Sequence, residues 1–348
     1  MRIASTATAF PPHYYTQEEV VAMLNQYWEK GREYMPLLDR IHSHTGVDGR
    51  YFARPLLDYI GLDTFGKTNN VWMETAIEIG EKAIDCVLKQ AGVERDRVGA
   101  IFFVSVTGVC SPSIDARLVN KMGLNKHIKR NPIFGLGCVA GAAGLARAAD
   151  YVRAYPDQVA ILLSVELCSL TFQRDDVTVA NLISAGLFGD GAAAVLVAGE
   201  NTRLEGPRVV ASQSFFYPET LNVMGWDVSE KGFNIVLSAG VPKVVSENLG
   251  VNVDSFLTKQ SLTRAEIETW IMHTDGPKIL EATAETLALD RDQLKGSWEA
   301  LRRVGNLSSA SVLVVLDDVM KHNRPATGTR SVLAAMDPSF CAEMLLLQ

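Results

Sequence analysis

Apolar residues along the chain alternate between the spacing of a helix and the continuous runs of a buried strand. A first helix is predicted after Thr16, because apolar side chains share one face of residues 20–24 and Thr16 forms a capping box with Glu19. Apolar residues recur at helical spacing over residues 76–88, and Gly92 follows as a stop. The first part of the chain therefore contains at least two amphipathic helices.

Short apolar runs after these helices are predicted as buried strands. The runs rich in β-branched and aromatic residues fall at residues 100–106, 132–136 and 159–165. A helix near residues 114–122 and a Gly- and Ala-rich helix beginning at Cys138 separate them. Strands that alternate with helices are joined by right-handed crossovers, so the sequence predicts a mainly parallel sheet with helices outside.

The second half of the chain repeats this alternation with different residues. Strands are predicted at 233–237, 267–273, 331–336 and 341–347, and helices at 241–249, 277–287 and 306–320. The closing pair of strands resembles the turn and strand at 189–197, which indicates a duplicated α/β unit. We therefore predict an α/β protein built from two halves, residues 1–205 and 206–348.

Composition supports a soluble globular protein and excludes several classes of partner. The 348 residues are 47% hydrophobic and 21% charged, which is ordinary for a chain with a large core and sets disorder aside. A net charge of −7 argues against nucleic acid or an anionic membrane as the main partner. An anionic substrate must therefore meet a local basic site.

Cysteine usage and the N-terminus bear on the compartment. The five cysteines are odd in number, scattered, and include no close pair of the metal-ligand type, which favours a reducing environment. The N-terminal segment has no apolar signal region, and no stretch reaches the length of a membrane span. The sequence predicts a cytoplasmic protein with no membrane span, no metal and no tightly held cofactor.

Cys138 is the strongest local signal for chemistry. It lies where a predicted strand turns into a helix, and Gly135, Gly137, Gly141 and Gly144 flank it. Glycines allow a close approach of backbone to ligand, and the positive end of a helix favours a thiolate. Free N–H groups of the first turn could also hold an oxyanion. The alternative is a small buried hydrophobic residue, which is a common role of cysteine.

Two further residues, His273 and Asn306, can likewise be interpreted as either catalytic or structural. His273 ends a predicted strand just before Gly276 and Pro277, at the edge of the sheet where active sites of α/β folds collect. The alternative for His273 is a capping or core histidine. Asn306 follows Gly305 and opens a predicted helix, so it is either an N-cap or a side-chain donor to a substrate oxygen.

The three residues gain meaning together. Forming a carbon–carbon bond from a malonyl thioester requires a thiolate that holds the acyl chain and two donors that stabilise the enolate left by decarboxylation. Cys138, His273 and Asn306 supply these parts. The combination therefore predicts a decarboxylating condensing enzyme.

Four separated blocks carry a family resemblance: GLGCVAGAAGLARA, LFGDGAAAVLV, HTDGPKIL and GNLSSASVLVVL. They resemble the signature segments of the chalcone synthase-like, type III polyketide synthases, in the same order. The resemblance implies a thiolase-like fold with duplicated βαβαβ halves in α-β-α-β-α layers, and the catalytic residues Cys138, His273 and Asn306. It also implies a homodimer that uses an acyl-CoA starter and malonyl-CoA, with coenzyme A thioesters as substrates and no cofactor.

The resemblance extends to five positions around the substrate. Phe188 matches the gatekeeping phenylalanine between coenzyme A tunnel and reaction cavity, and Arg40 falls near an arginine that binds the coenzyme A phosphates, although Leu37 and His44 replace the lysines around it. Thr107, Thr178 and Pro338 match positions of the substrate cavity. We expect all five to lie around the acyl chain or its carrier.

Two segments depart from the family pattern. Where the family shows His-Pro-Gly-Gly-Pro, this chain has His273, Thr274, Asp275, Gly276 and Pro277. Residues 335–339 replace an expected Gly-Phe-Gly-Pro-Gly loop. Loss of glycines beside the cavity is expected to change its shape and the cyclisation of the product.

The starter is predicted from the segment NVMGWDVSEKGFNIVLSAGVPKVV, which resembles the bacterial alkylpyrone and alkylresorcinol synthases. It implies a fatty acyl starter and release as an alkylpyrone or alkylresorcinol. Two alternatives within the fold remain: a malonyl-CoA-primed tetrahydroxynaphthalene or phloroglucinol synthase, and a ketoacyl-carrier-protein synthase III-like enzyme. A Cys-His-Asn hydrolase and a non-catalytic acyl-binding protein are the alternatives outside this chemistry.

Overall fold

The computed structural model describes residues 1–326, 328–337 and 341–348, so the predicted substrate position Pro338 lies outside the described residues. The strands are β1 (Arg2–Ala9), β2 (His13–Thr16), β3 (Gly49–Phe52), β4 (Val98–Val104), β5 (Lys129–Ile133), β6 (Val159–Leu167), β7 (Asp190–Ala198), β8 (Val209–Phe216), β9 (Met224–Ser229), β10 (Gly232–Leu237), β11 (Thr269–Met272), β12 (Ser331–Asp337) and β13 (Cys341–Leu347). The helices are α1 (Gln17–Tyr27), α2 (Met35–His42), α3 (Phe65–Ala91), α4 (Ile114–Met122), α5 (Ala140–Ala154), α6 (Val179–Leu187), α7 (Val241–Lys259), α8 (Pro277–Leu287), α9 (Lys295–Val304) and α10 (Ser311–His322).

The first large sheet has the strand order β1-β7-β6-β4-β5. Strands β6, β4 and β5 are parallel, whereas β7 pairs antiparallel with both β6 and β1. Strand β1 therefore runs in the same direction as β6, β4 and β5, so the sheet is mainly parallel, as predicted, and β7 alone is reversed. The reason is the connection through α6, which brings the chain back into the sheet at the end where β6 finishes, so that β7 runs in the opposite direction.

The second large sheet repeats the topology of the first with one strand fewer. Its order is β11-β12-β13-β8, with β11 and β12 parallel and the two remaining pairs antiparallel. Each of its strands has a counterpart in the first sheet, namely β8 with β1, β13 with β7, β12 with β6, and β11 with β4. The duplicated α/β unit expected from the sequence is thus present in the strand order.

The three largest hydrophobic clusters hold together a fold of five layers, in which helices and sheets alternate. Helices α3 and α4 cover the outer face of the first sheet, α5 and α10 lie between the two sheets, and α7 packs on the outer face of the second. This is the predicted α-β-α-β-α arrangement. Across the described part of the chain, no helix combines the length and the apolar character needed to span a membrane.

Local signals mark several element ends accurately. The capping box at Thr16 is present at the start of α1, and α3 ends at Gly92 with φ 63°. Strand β5 was predicted three residues too far along the chain. Gly135 (φ 89°) and Gly137 (φ 56°) adopt left-handed backbone, so these residues form the turn before α5 instead of extending the strand.

Candidate functional site

A tight turn between β5 and α5 carries Cys138. Residues Gly137–Val139 form one short 3₁₀ turn that leads directly into α5, so the helix begins two residues later than predicted. The side chain of Cys138 is buried. A Cβ atom on Gly141 would lie 2.0 Å from the carbonyl oxygen of Ser309. Glycine at this position therefore lets the start of α5 contact the backbone that precedes α10.

His273 lies at the end of β11, as predicted. Its backbone N–H donates to the carbonyl of Ala334 at 3.0 Å, which extends the pairing with β12 by one residue. Its imidazole is almost completely buried, and Nε2 lies 3.1 Å from Oδ1 of Asp275. The contact lacks hydrogen-bond alignment, since neither ring nitrogen of His273 has an aligned partner among the described residues. The imidazole is therefore fixed by packing, with its nitrogens available.

The thiol and the imidazole come together in space. The Sγ atom of Cys138, a ring nitrogen of His273 and a carboxylate oxygen of Asp275 all lie within 4.8 Å of one another. The Oγ atom of Ser308 lies 3.5 Å from the same sulfur. Residues from both halves of the chain therefore meet at one point.

Asn306 joins this group through its amide. Its Oδ1 accepts from the backbone N–H of Ser308 at 2.7 Å and from the hydroxyl of Ser311 at 3.2 Å. Its Nδ2 then faces the other way and donates to the carbonyl of Asp275 at 3.3 Å. Asn306 can therefore act both as a cap and as a donor. Its side-chain oxygen caps the turn at Ser308, and its amino group points toward Asp275, two residues after His273.

Ser308 adopts an unusual backbone conformation beside the thiol. Its φ of 47° lies in the left-handed region, which is costly for a residue with a Cβ atom. The hydrogen bond to Asn306 and the packing of α5 hold it there. Strain of this kind is typical of positions that a fold maintains for function.

Three cavities meet at Phe188 beside this group. The thiol cavity has a volume of about 200 Å³ and is lined by Val106, Phe134, Gly135, Gly137, Cys138, Cys168, Phe188, Met224, Gly225, Trp226, Val228, Ile235 and Ser308. The entrance chamber has about 560 Å³, and its walls include His44, Asp275 and Lys278. The side chamber has about 90 Å³ and runs between α1, Trp28 and Phe172.

Phe188 occupies the wall that these cavities share. It lines the thiol cavity, the entrance chamber and the side chamber. Its backbone bridges to Asn306, and the neighbouring Gly189 N–H donates to the carbonyl of Asn306 at 2.9 Å. The position suits a residue that separates the thiol from the entrance.

The other predicted substrate positions lie at different depths. Arg40 is exposed on α2, next to Ile41, which lines the entrance chamber. Thr178 is exposed and caps α6, where its hydroxyl accepts from the N–H of Asn181. Thr107 is buried, and its hydroxyl donates to Glu166 at 2.8 Å, so its contact is with a buried acid and not with one of these three cavities.

Two buried carboxyl groups support the floor of the site. Glu166 accepts from the N–H of Val106 at 3.1 Å and from Ser309, and burial raises the pKa of this carboxyl to about 7. Asp190 accepts from the N–H groups of Ala53 and Ser169 at 2.7 and 2.8 Å, and burial raises its pKa to about 7 as well. Both acids fix the loops that line the cavities.

Sequence reasoning missed several of these residues. Asp275 was noted only as a departure from a motif, although it lies against His273. Lys278, within the same block, lines the entrance chamber. Glu166 gave no signal, because it is a single acid inside an apolar run. Motif context could have identified Asp275 and Lys278, whereas Glu166 requires the fold.

Comparison with known proteins places these observations in a family. The N-terminal domain profile of chalcone and stilbene synthases matches residues 3–201, and the C-terminal domain profile matches residues 208–348. The 1,3,6,8-tetrahydroxynaphthalene synthase of Streptomyces peucetius subsp. caesius is 44% identical over 99% of this chain and 92% of its own length. A putative chalcone synthase of Bacillus subtilis (strain 168) is 34% identical over 99% of this chain and 97% of its own.

Solved structures agree over the whole chain. The 1,3,6,8-tetrahydroxynaphthalene synthase of Streptomyces coelicolor A3(2), a bacterial type III polyketide synthase, superposes with a TM-score of 0.94 at 30% identity and covers 100% of this chain and 99% of its own. PKS-I of the brown alga Ectocarpus siliculosus gives 0.94 at 26% identity, with 100% and 97% covered. The chain therefore belongs to the chalcone and stilbene synthase family and is a type III polyketide synthase, an acyltransferase that forms carbon–carbon bonds from coenzyme A thioesters without a cofactor.

Proposed function

We propose that this enzyme uses malonyl-CoA as both starter and extender and releases a tetrahydroxynaphthalene. The observation that carries the proposal is the 44% identity to a tetrahydroxynaphthalene synthase across 99% of the chain. A compact thiol cavity of about 200 Å³, lined by aromatic and aliphatic side chains, supports it, since a short polyketide must fold there into fused rings. The alternative considered from the sequence is thus preferred over the fatty acyl starter.

The first step of the proposed mechanism loads the starter on Cys138. The thiolate attacks the thioester carbonyl, a new carbon–sulfur bond forms, and the bond to coenzyme A breaks. The departing coenzyme A sulfur takes a proton from His273, which lies within 4.8 Å of the Cys138 sulfur. Both side chains are buried, which limits their contact with bulk water that would otherwise hydrolyse the thioester.

The second step removes carbon dioxide from malonyl-CoA. The bond to the carboxylate breaks and its electrons pass into the thioester enolate, whose oxygen carries the developing charge. His273 and the Nδ2 group of Asn306 donate to that oxygen. The 3.3 Å hydrogen bond from Nδ2 to the Asp275 carbonyl is long, so the substrate oxygen can replace it at small cost, while Ser308 and Ser311 keep the amide in orientation.

The third step forms the carbon–carbon bond. The enolate carbon attacks the carbonyl of the Cys138 thioester, and the cysteine sulfur leaves as the thiolate. The chain, now two carbons longer, is held on coenzyme A and returns to Cys138 for the next round. Phe188 lies on the wall between this point and the entrance chamber, and we assign it the role of a gate.

Coenzyme A is proposed to bind at the entrance chamber. Its phosphates need cations, and Lys278 and His44 line this chamber while Arg40 lies on the exposed face of α2. Lys278 and Arg40 would supply positive charge on a chain whose net charge is −7, and His44 would supply a ring nitrogen for hydrogen bonding. Thr178, at the start of α6, lies next to Val179 of the same chamber and is proposed to contact the carrier.

Incubation with malonyl-CoA as the only substrate tests the starter. We expect a tetrahydroxynaphthalene, or the quinone formed from it in air, together with released coenzyme A and carbon dioxide, all measured by mass spectrometry. A matched incubation with Cys138→Ala must give no product. Formation of extended products only when an acyl-CoA is added would contradict malonyl priming.

A fatty acyl starter is the second candidate, favoured by the side chamber. This chamber is lined mainly by apolar residues and shares Cys168 and Phe188 with the thiol cavity, so an alkyl chain held on Cys138 could extend into it. An alkylpyrone or alkylresorcinol would then form. A series of acyl-CoA starters in competition with malonyl-CoA separates the candidates, because chain-length selectivity is expected only if the side chamber holds the alkyl chain.

We also propose that the enzyme is a cytoplasmic homodimer. Phe134 lines the thiol cavity and yet is 54% exposed, which is unusual for a large aromatic beside a reaction cavity. A second copy that covers this rim would complete the wall. Sedimentation of the wild type against Phe134→Asp tests it, and an unchanged monomer for both would contradict the proposal.

A further inference from the structure

Three potential metal ligands converge beside the thiol cavity. The Sγ atom of Cys138, a nitrogen of His273 and a carboxylate oxygen of Asp275 lie within 4.8 Å of one another. The first two side chains are almost fully buried, and the Asp275 side chain is 9% exposed. The sequence gave no such signal, since the cysteines form no close pair and the three residues come from two halves of the chain.

The triangular arrangement differs from a proton relay. In a relay the carboxylate holds the ring nitrogen remote from the nucleophile, so acid and nucleophile lie on opposite sides of the imidazole. Here the carboxylate lies close to both the sulfur and the ring. The 3.1 Å contact between Nε2 and Asp275 also lacks hydrogen-bond alignment, and both buried ring nitrogens have no aligned partner among the described residues. Nitrogen lone pairs and oxygens that face a common point are typical of a metal site.

The distances suit a small thiophilic cation. Zinc binds sulfur at about 2.3 Å, nitrogen at about 2.0–2.1 Å and carboxylate oxygen at about 2.0–2.2 Å, so the ligand atoms of a tetrahedral site lie roughly 3.4–3.6 Å from one another. Side-chain rotations would have to bring the three atoms about 1 Å closer together than the limit of 4.8 Å within which they now lie. A thiolate, an imidazole and a carboxylate form a ligand set with one open position, and soft sulfur selects zinc over magnesium or calcium.

We propose that Cys138, His273 and Asp275 form a reversible binding site for a thiophilic divalent cation, which inhibits the enzyme by occupying the sulfur that must accept the acyl group. The cation binding rests on geometry alone, whereas the inhibition rests on the proposed role of Cys138. Asp275 departs from the family pattern, which has glycine at this position. The bound cation acts as an inhibitor and takes no part in turnover.

Binding is measured first, without substrate. The full-length enzyme, reduced with a phosphine that does not chelate metals, is dialysed against Zn²⁺, and Co²⁺ is used as a spectroscopic probe. We expect about one ion per chain and a thiolate-to-cobalt charge-transfer band in the near ultraviolet. Cys138→Ala should abolish the band, Asp275→Asn should weaken affinity by about tenfold or more, and the exposed control Cys86→Ser should leave both unchanged.

The outcomes separate the two proposals. No bound ion in the wild type, a band retained in Cys138→Ala, or equal affinity in Asp275→Asn overturns the metal site. Circular dichroism confirms that each variant is folded, and Asp275→Glu, which keeps a carboxylate, should bind more tightly than Asp275→Asn. Bound zinc at Cys138 that leaves product formation unchanged would contradict the nucleophile, and full inhibition that a chelator reverses supports both.

Discussion

Helices α5 and α10 occupy equivalent places in the two halves of the fold but begin with different chemistry. Both lie between the two sheets, and their starts are in contact, since Gly141 packs on the carbonyl of Ser309. The turn before α5 presents a thiol, whereas the turn before α10 presents the amide of Asn306 and a row of serines. The duplicated topology places the two turns together, and the local residues decide what each one does.

The two turns also differ in how they are held. Left-handed glycines shape the one that carries Cys138. The other is held by polar contacts, in which Ser309 bonds to Ser164 at 2.8 Å and to the buried Glu166. Cys138 thus lies on a turn whose shape depends on glycines, whereas Asn306 lies on a turn that buried hydrogen bonds hold in place.

The largest effect is expected from removal of the thiol. Cys138→Ala should lower condensation by roughly a thousandfold or more, because no covalent intermediate can form. Ser308→Ala, which changes the hydroxyl 3.5 Å from the same sulfur, should cost less than about tenfold. Product formation is followed by mass spectrometry. Equal losses of condensation activity in Cys138→Ala and Ser308→Ala would contradict the assignment of the nucleophile to the turn before α5.

Removal of the donor should separate decarboxylation from loading. Asn306→Ala is expected to slow carbon dioxide release from malonyl-CoA by about 10²–10³-fold, the usual cost of one oxyanion donor, while Cys138 still becomes acylated. Radiolabelled carbon dioxide and intact-protein mass report the two steps. If Asn306→Ala decarboxylated at the wild-type rate, its assignment as an enolate donor would be wrong.

The contact between the two helix starts can be tested through stability. Gly141→Ala places a Cβ 2.0 Å from the Ser309 carbonyl, which should lower the free energy of unfolding by about 1–3 kcal/mol. Gly66→Ala, where a Cβ meets nothing within 4 Å on the exposed face of α3, should be neutral or stabilising by up to about 1 kcal/mol. Urea unfolding measures both. A free energy of unfolding of Gly141→Ala equal to that of the wild type would mean that close contact between the starts of α5 and α10 is not needed for stability.

The smallest effect concerns pH and the support beneath α10. Burial raises the pKa of Glu166 from 4.5 to about 7, so this carboxyl binds more protons in the folded state than in the unfolded state. Its contribution to stability is present at low pH and is lost as the pH rises through that range. Asp190 acts in the same direction.

Thermal unfolding therefore should become easier between about pH 4 and about pH 7. Glu166→Gln is expected to reduce that fall in midpoint by about 2–4 °C. An identical slope in wild type and variant would show that Glu166 does not titrate on unfolding.

Local sequence signals predicted the elements whose ends carry glycine or proline. Helices α4 and α8 begin and end at the predicted residues. Strand β1 was missed because it contains small polar residues, and its burial is explained only by distant partners. Ser5 donates to the carbonyl of Val87 and Thr6 to Asp317, both at 2.8 Å.

The sequence predicted those site residues that lie within recognisable motifs. The triad residues lie in recognisable blocks, and the structure brings them together. Motif context points to Asp275 as a site residue, but its distance from His273 could not be predicted from sequence, because it depends on the turn through Gly276, which has φ 146°. The antiparallel course of β7 likewise follows from the path of the chain through α6 and not from the apolar pattern of the strand.

Locating the covalent acyl group by peptide mass tests the central claim most directly. The thiol cavity contains a second thiol, Cys168, whose pKa is raised well above its ordinary value by burial, so it should stay protonated and unreactive. After brief incubation with malonyl-CoA and acid quenching, we predict a thioester-linked adduct on the peptide that contains Cys138, which hydroxylamine removes. An adduct on Cys168, or none on Cys138 while product accumulates, would contradict the account.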